Sequence, residues 1–245
     1  MGVVTAAEVL VTLGVVFLAA TLQRISGFGF ALIATPLLAF GMSVTSAVIL
    51  VTLVATPNTF LTFVQHHQYA DRPKVKRIAI AATIGMPFGL LIHGRVDDNT
   101  LRIALGIAVA SAATLLATGW SIKRQTRRSD VLCGLLSGVL NTSTGTNGPP
   151  LVVALQGQGL TPNEFRGTIS AIFVLSSPIA LALFVAEGLV TSRELRLAVV
   201  GIPAMIAGQF LGRVLAKRIP DTRFRSLVIA LLFATAAVAI ANALR

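Results

Sequence analysis

Gln23-Arg24-Ile25-Ser26-Gly27-Phe28-Gly29-Phe30 interrupts an apolar run at a depth where a bilayer-spanning helix should continue. Asn141-Thr142-Ser143-Thr144-Gly145-Thr146-Asn147-Gly148-Pro149-Pro150 does the same 118 positions later. Unpaired backbone at that depth is costly unless it lines a cavity enclosed by protein. Paired breaks at corresponding places in two halves of a chain mark the central site of a transporter. The fold class expected is an all-α polytopic membrane protein with two inverted-topology repeats. Each repeat is a glycine-broken helix or re-entrant pair followed by three transmembrane helices.

Composition agrees with that reading. Of 245 residues, 55% are hydrophobic and 12% charged, with a mean hydropathy of +0.84, which excludes an ordinary soluble domain. Runs such as 101–119 and 224–244 reach the roughly 20 apolar residues that cross about 30 Å of hydrocarbon. No polar stretch is long enough for a water-soluble domain, so residues 1–245 form one membrane unit, with repeats at about 6–120 and 130–245. The first twenty residues carry Glu8 rather than a basic n-region, and their apolar character continues past residue 30, so they read as a retained helix. Cys133 is the only cysteine, which excludes an intramolecular disulfide and a cysteine metal cluster.

The net charge of +11 is distributed as a membrane topology signal rather than as a nucleic-acid surface. Ten apolar segments are expected, at 6–22, 30–40, 43–63, 78–92, 101–119, 131–140, 149–155, 164–186, 192–216 and 224–244. Three connections hold 13 of the 20 Lys and Arg. They contain Arg72, Lys74, Lys76 and Arg77; Lys123, Arg124, Arg127 and Arg128; and Arg213, Lys217, Arg218, Arg223 and Arg225. The positive-inside rule puts all three in the cytoplasm. One parity satisfies them if 30–40 and 149–155 pair with the segments before them, as re-entrant hairpins or as shortened crossings. Both termini then lie outside, and the halves are inverted. Thr161-Pro162-Asn163-Glu164 fits a capping box with proline at the first helical position, and Asp98, Ser192 and Asp221 are expected N-caps.

A shift of 118 carries Gly27 onto Gly145, Leu37 onto Leu155 and Gly41 onto Gly159. It also carries Thr52 onto Ser170, Asn58 onto Ser176 and Thr59 onto Ser177. Thr45, Thr52, Thr56 and Thr59 share one helix face. Each half thus has a broken segment followed by a helix with a hydroxyl stripe. Such a stripe serves either helix packing, with Ser and Thr bonded back to the i−4 carbonyl, or a shared polar cavity. Asp98-Asn99-Thr100-Leu101-Arg102 and Asp221-Thr222-Arg223-Phe224-Arg225 match in form at a shift of 123.

The breaks carry anion chemistry. A new helix is expected near Phe30 and another at Pro149, and a helix N-terminus exposes unpaired N–H groups with roughly half a positive charge. Glycine permits positive φ and close approach of a ligand. Inverted halves bring two such N-termini toward the midplane. Arg24 is a cation in an apolar stretch, and so either a functional charge or a side chain that snorkels to an interface. Arg166 reads as a site residue or an interface anchor. The residues expected on the anion are Gln23, Arg24, Ser26, Gly27 and Gly29; Thr52 and Asn58; Asn141, Thr144, Gly145, Thr146, Asn147 and Gly148; and Arg166, Ser170 and Ser177.

No carboxylate falls in a predicted helix centre, where a proton relay would sit. His66 and His67 fall in a basic loop and His93 ends a helix. Movement driven by the anion gradient and the membrane potential is therefore expected. The partners expected are a small anion and the lipid bilayer, with room for a homo-oligomer. No cofactor, metal or nucleic acid is implied.

The block Ser26-Gly27-Phe28-Gly29-Phe30-Ala31-Leu32-Ile33-Ala34-Thr35-Pro36-Leu37-Leu38 resembles the glycine-rich entry of the TauE/SafE family of sulfite and organosulfonate permeases. Gly134-Leu135-Leu136-Ser137-Gly138, Gly145-Thr146-Asn147-Gly148-Pro149-Pro150 and Phe165-Arg166-Gly167-Thr168 resemble its second half. The resemblance covers nearly the whole chain. It implies a bacterial inner-membrane permease that moves sulfite or another sulfur-containing anion, with export by alternating access. Phe28 and Phe30 make the first break less glycine-rich than in many relatives. Two other classes compete. An intramembrane hydrolase would use Ser26 or Ser137, each followed by glycine, but has no intramembrane histidine base. A non-transporting assembly protein shares the composition.

Overall fold

The computed structural model describes residues 4–93, 95–120, 122, 126–156, 158–216, 228–237 and 239. In chain order the helices are α1 (Ala6–Ser26), α2 (Phe30–Leu38), α3 (Val44–His66), α4 (Arg72–His93), α5 (Asp98–Thr118), α6 (Arg127–Ser143), α7 (Gly148–Gln156), α8 (Pro162–Ala186) and α9 (Ser192–Leu215). A further helix, α10, runs over Val228–Ala237. The described residues contain no strand. Six helices of 21 to 26 residues are long and apolar enough to cross a bilayer, since 21 residues rise about 31 Å at about 1.5 Å each. The apolar segments expected from the sequence correspond to these helices. Both ends of the last one lie outside the described residues, as do Lys217, Arg218, Asp221, Arg223 and Arg225, and Lys123 and Arg124.

Local chemistry sets the helix starts. Thr5 with Glu8, Thr161 with Glu164 and Thr191 with Glu194 form reciprocal capping boxes, satisfying backbone donors that the first turn leaves unpaired. Two starts differ from expectation. Asp97, not Asp98, caps α5, because Asp97 has extended backbone and accepts from the Thr100 N–H. Asp98 instead accepts from the Val44 N–H at 2.7 Å and from Arg102 Nε at 2.8 Å. Thr191, not Ser192, caps α9, for the same reason of extended backbone. His66 belongs to the last turn of α3 and His67 to a short 3-10 turn, rather than to a loop.

Two helix pairs approach unusually closely: α4 with α6, and α1 with α9. A Cβ at Gly138 would lie 1.9 Å from the Ala82 carbonyl oxygen, and one at Gly89 2.1 Å from that of Val139. On α9, a Cβ at Gly208 would lie 2.4 Å from the Phe17 oxygen. Lipid tails give no hydrophobic incentive for helices to associate, so close backbone packing between small residues supplies the attraction.

The short helices α2 and α7 sit inside this shell. Leu32, Ile33 and Leu38 of α2 and Leu151 and Leu155 of α7 are fully buried, whereas Ile84, Phe88, Val199 and Phe210 on the long helices face outward. A helix apolar on all sides belongs in an interior. Arg102 fixes the far end of α2 by donating to the carbonyls of Ala39 and, at 3.0 Å, Met42. The buried Asp130 pairs with Arg77 at 3.0 Å across α4 and α6, and Glu8 pairs with Arg193 across α1 and α9. Both acids lie in first turns, away from helix centres.

Candidate functional site

Both breaks adopt the backbone that glycine allows. Gly27 and Gly29 have φ of +87° and +98°, and Gly145 has φ of +70°. Ser26 closes the first break, donating to the Leu22 carbonyl at 2.9 Å and accepting from the Phe28 N–H at 3.4 Å. Ser137 donates to the Asn147 carbonyl at 2.9 Å, and the Thr146 N–H donates to the Leu140 carbonyl at 3.2 Å. The Thr144 hydroxyl bonds that of Thr146 at 2.7 Å. Side chains thus hold carbonyls of the breaks, while the first turn of α2 leaves its N–H groups without intrahelical partners and that of α7 leaves fewer, because Pro149 and Pro150 carry no N–H.

Those two N-termini line one cavity of about 40 Å³. Gly29, Phe30 and Ala31 come from the start of α2, and Thr146, Asn147 and Gly148 from the start of α7. Gln23 of α1 and Asn141 of α6 close it from the helices before each break, and Thr52, Thr59 and Ser177 from α3 and α8. None of the lining residues is charged.

A relay of amide side chains orients Gln23. Gln209 Nε2 donates to Asn58 Oδ1 at 2.5 Å, and Asn58 Nδ2 donates to Gln23 Oε1 at 2.6 Å. This relay leaves Nε2 as the free polar atom of Gln23. Asn141 Nδ2 is buried and has no hydrogen-bond partner. An unmet buried donor costs about 1–3 kcal/mol, and a small acceptor in the cavity would relieve it. The Thr52 hydroxyl is occupied by the Val48 carbonyl at 2.7 Å.

The residues expected on the anion therefore separate. Gln23, Gly29, Thr52, Asn141, Gly145, Thr146, Asn147, Gly148 and Ser177 line the cavity. Arg24, Ser26, Gly27, Asn58, Thr144, Arg166 and Ser170 do not. Arg24 turns to Gln65 Oε1, and its stem packs on Gly212, where a Cβ would lie 2.6 Å from its own. Arg166 donates to the Ile25 carbonyl at 2.7 Å, capping the end of α1. Ser170 bonds the Gly167 carbonyl at 3.2 Å. Asn58 acts one layer back, through Gln23. Sequence reasoning left out Phe30, Ala31, Leu32, Val51, Ala55, Thr59 and Phe173 as lining residues. The 118-residue shift carries Phe30 onto Gly148 and Thr59 onto Ser177, a signal that could have found those two.

A second cavity of about 350 Å³ adjoins the first break, lined among others by Ser26, Phe28, Phe165 and Arg166. Phe28 and Phe165 meet edge to face with ring centroids 6.0 Å apart. Phe28 Cδ2 also lies 3.7 Å from where a Cβ on Gly148, which lines the first cavity, would stand. Its ring therefore stands between the two cavities.

Ser26 and Ser137, the serines that a hydrolase would need, bond only backbone atoms, and the His93 ring bonds Thr45 and the Thr142 carbonyl, so neither serine is paired with that base.

Comparisons with known proteins agree with this architecture. The family described as sulfite exporter TauE/SafE matches residues 12–239. The chain is 22% identical over 198 residues to the probable sulfite/organosulfonate exporter TauE of Cupriavidus necator, a match spanning 78% of this chain and 77% of that protein. It is 26% identical over 161 residues to the probable inner membrane transporter protein TsaS of Comamonas testosteroni, spanning 62% of this chain and 65% of that one. No solved structure matches. With the family's match covering nearly the whole chain, this multi-pass membrane protein belongs to the TauE/SafE family, whose members are transporters and not enzymes.

Proposed function

We propose that this transporter moves a small oxyanion, sulfite or a related sulfur-containing anion such as an organosulfonate, out across the bacterial inner membrane by alternating access. The observation that carries the reading is the buried, unpartnered Asn141 Nδ2 on a cavity where two helix N-termini converge. N–H groups and amide donors favour an anion, and two helix dipoles add to their sign. A cavity of about 40 Å³ is a few times the roughly 10–15 Å³ that one water needs. That suits a small oxyanion in this conformation and leaves a larger sulfonate to a wider one. The names of the relatives support the same chemistry.

Inverted repeats are supported by reciprocal packing: α1 lies on α9 as α6 lies on α4. Gly85 and Gly89 of α4 fall 123 positions before Gly208 and Gly212 of α9, all at these contacts. Basic loops facing the cytoplasm agree with that arrangement. An inside-negative potential favours anion exit by about 2.3 kcal/mol per charge per 100 mV. Efflux of sulfite from proteoliposomes should saturate, show counterflow and rise with an imposed potential negative on the sulfite-loaded side. Flux that followed an imposed pH gradient and ignored voltage, at constant substrate speciation, would remove the proposed driving force. Absence of substrate-dependent flux would remove the function.

A further inference from the structure

We propose that the groove along α4 and α8 binds one anionic glycerophospholipid, with its headgroup on Arg72 and Lys76 and an acyl chain along Ile80, Leu175 and Ile179. The groove has a volume of about 600 Å³, within the range of clefts that hold whole ligands. His67, Arg72 and Lys76 stand at one end. The rest is almost wholly apolar, and the one hydroxyl, on Thr83, donates to the Ala79 carbonyl at 3.0 Å.

Charge pairing separates the cations of this region. Lys74 pairs with Asp71 at 3.7 Å, and Arg77 pairs with Asp130 at 3.0 Å. Arg72 and Lys76, four apart on one helix face, have no carboxylate partner among the described residues, and no carboxylate lines the groove. The two cations left over are the two at its mouth. His67 Nδ1 donates to the Val64 carbonyl at 3.0 Å, which leaves Nε2 to accept from a headgroup hydroxyl.

Length selects a lipid rather than a soluble anion. From Arg72 to Thr83 the helix rises about 16 Å at about 1.5 Å per residue. That is about half of the roughly 30 Å hydrocarbon thickness, the depth of one leaflet. A basic mouth over an apolar slot one leaflet deep matches an anionic phosphate diester carrying acyl chains. This inference does not rest on the transport reading.

The test is native mass spectrometry of the full chain in detergent, titrated with phosphatidylglycerol or phosphatidylcholine of identical acyl chains. Wild type should retain one phosphatidylglycerol at least tenfold more tightly than phosphatidylcholine. Arg72→Gln with Lys76→Gln should weaken that binding about 30-fold, at about fivefold per basic residue, while Lys74→Gln leaves it unchanged. Ile80→Trp, which fills the slot and keeps both charges, should also abolish the preference, and it stands as the test if the double variant does not fold. Equal retention of the two lipids by wild type, or unchanged preference in Ile80→Trp, would overturn the proposal. So would a wild-type dimer, formed without lipid, that Ile80→Trp converts to a monomer, because the groove would then be a contact between copies.

Discussion

Gln23 and Asn141, 118 positions apart, line the same cavity, each from the last turn of the helix that precedes a glycine break. Gln23 is oriented by Asn58, while Asn141 Nδ2 is buried with no partner. The difference separates what each residue contributes to binding from what it contributes to folding.

Asn141→Leu is expected to weaken sulfite binding roughly 10- to 150-fold, the range for losing one hydrogen bond to a charged group of about 1.5–3 kcal/mol. Its melting temperature without anion should stay level or rise, because an unmet buried donor is removed. Gln23→Leu should weaken binding too, but should lower the anion-free melting temperature by stranding Asn58. Calorimetric titration and thermal unfolding in detergent read both. A fall in stability for Asn141→Leu with binding intact would make Asn141 a packing residue.

Arg24 lies outside the cavity and bonds Gln65, so its expected influence is through its field. Arg24→Lys, which keeps the charge, should hold sulfite affinity within about twofold, whereas Arg24→Gln should lower it more in dilute than in concentrated salt, as screening predicts. Titrations at two ionic strengths distinguish this from a direct contact, which Lys would not reproduce. Unchanged affinity in Arg24→Gln at both strengths would take Arg24 out of the site altogether.

Gly138→Ala puts a Cβ 1.9 Å from a backbone oxygen, and neither partner is a flexible side chain. It should cost about 1–3 kcal/mol or more, as overpacking does, and appear as a lower melting temperature. Gly14→Ala has nothing within 4 Å and should be neutral or stabilising by up to about 1 kcal/mol, the helix propensity gained. Equal effects of the two would show that the α4–α6 contact is looser than its geometry.

Phe28→Ala opens a path between the two cavities that the ring now separates. Unsaturable sulfite leak from proteoliposomes should rise several-fold, with counterflow reduced. Phe63→Ala, an aromatic truncation at the groove along α4, should leave leak unchanged. The edge contact with Phe165 is worth about 0.5–1.5 kcal/mol, so only a modest loss of thermal stability should accompany the change. A tight vesicle with Phe28→Ala would assign the ring to packing.

The breaks were legible because glycine and a run of small polar residues inside apolar segments leave the chain few alternatives. Helix spans were legible from length and hydropathy, and the capping box at Thr161 from its spacing. Asp98 and Ser192 as caps were not, because adjacent residues of similar chemistry compete and the turn geometry chooses between them. The hydroxyl stripe was only partly legible: Thr52, Thr59 and Ser177 line the cavity, but the Thr52 hydroxyl is taken by its own helix backbone, and Ser170 bonds the Gly167 carbonyl away from the cavity.

Sequence by itself determined that the chain crosses a membrane, that it is broken twice, and that each break ends with a helix start able to face an anion. Hydropathy, glycine and helix polarity are local properties, so reading them requires no neighbours. Which donors meet was decided only by tertiary structure. Helix packing turned Arg24 of α1 toward Gln65 of α3, and Arg166 of α8 toward the Ile25 carbonyl. The same packing left Gln23 and Asn141 on the cavity, because a side chain one position away on a helix points about 100° aside.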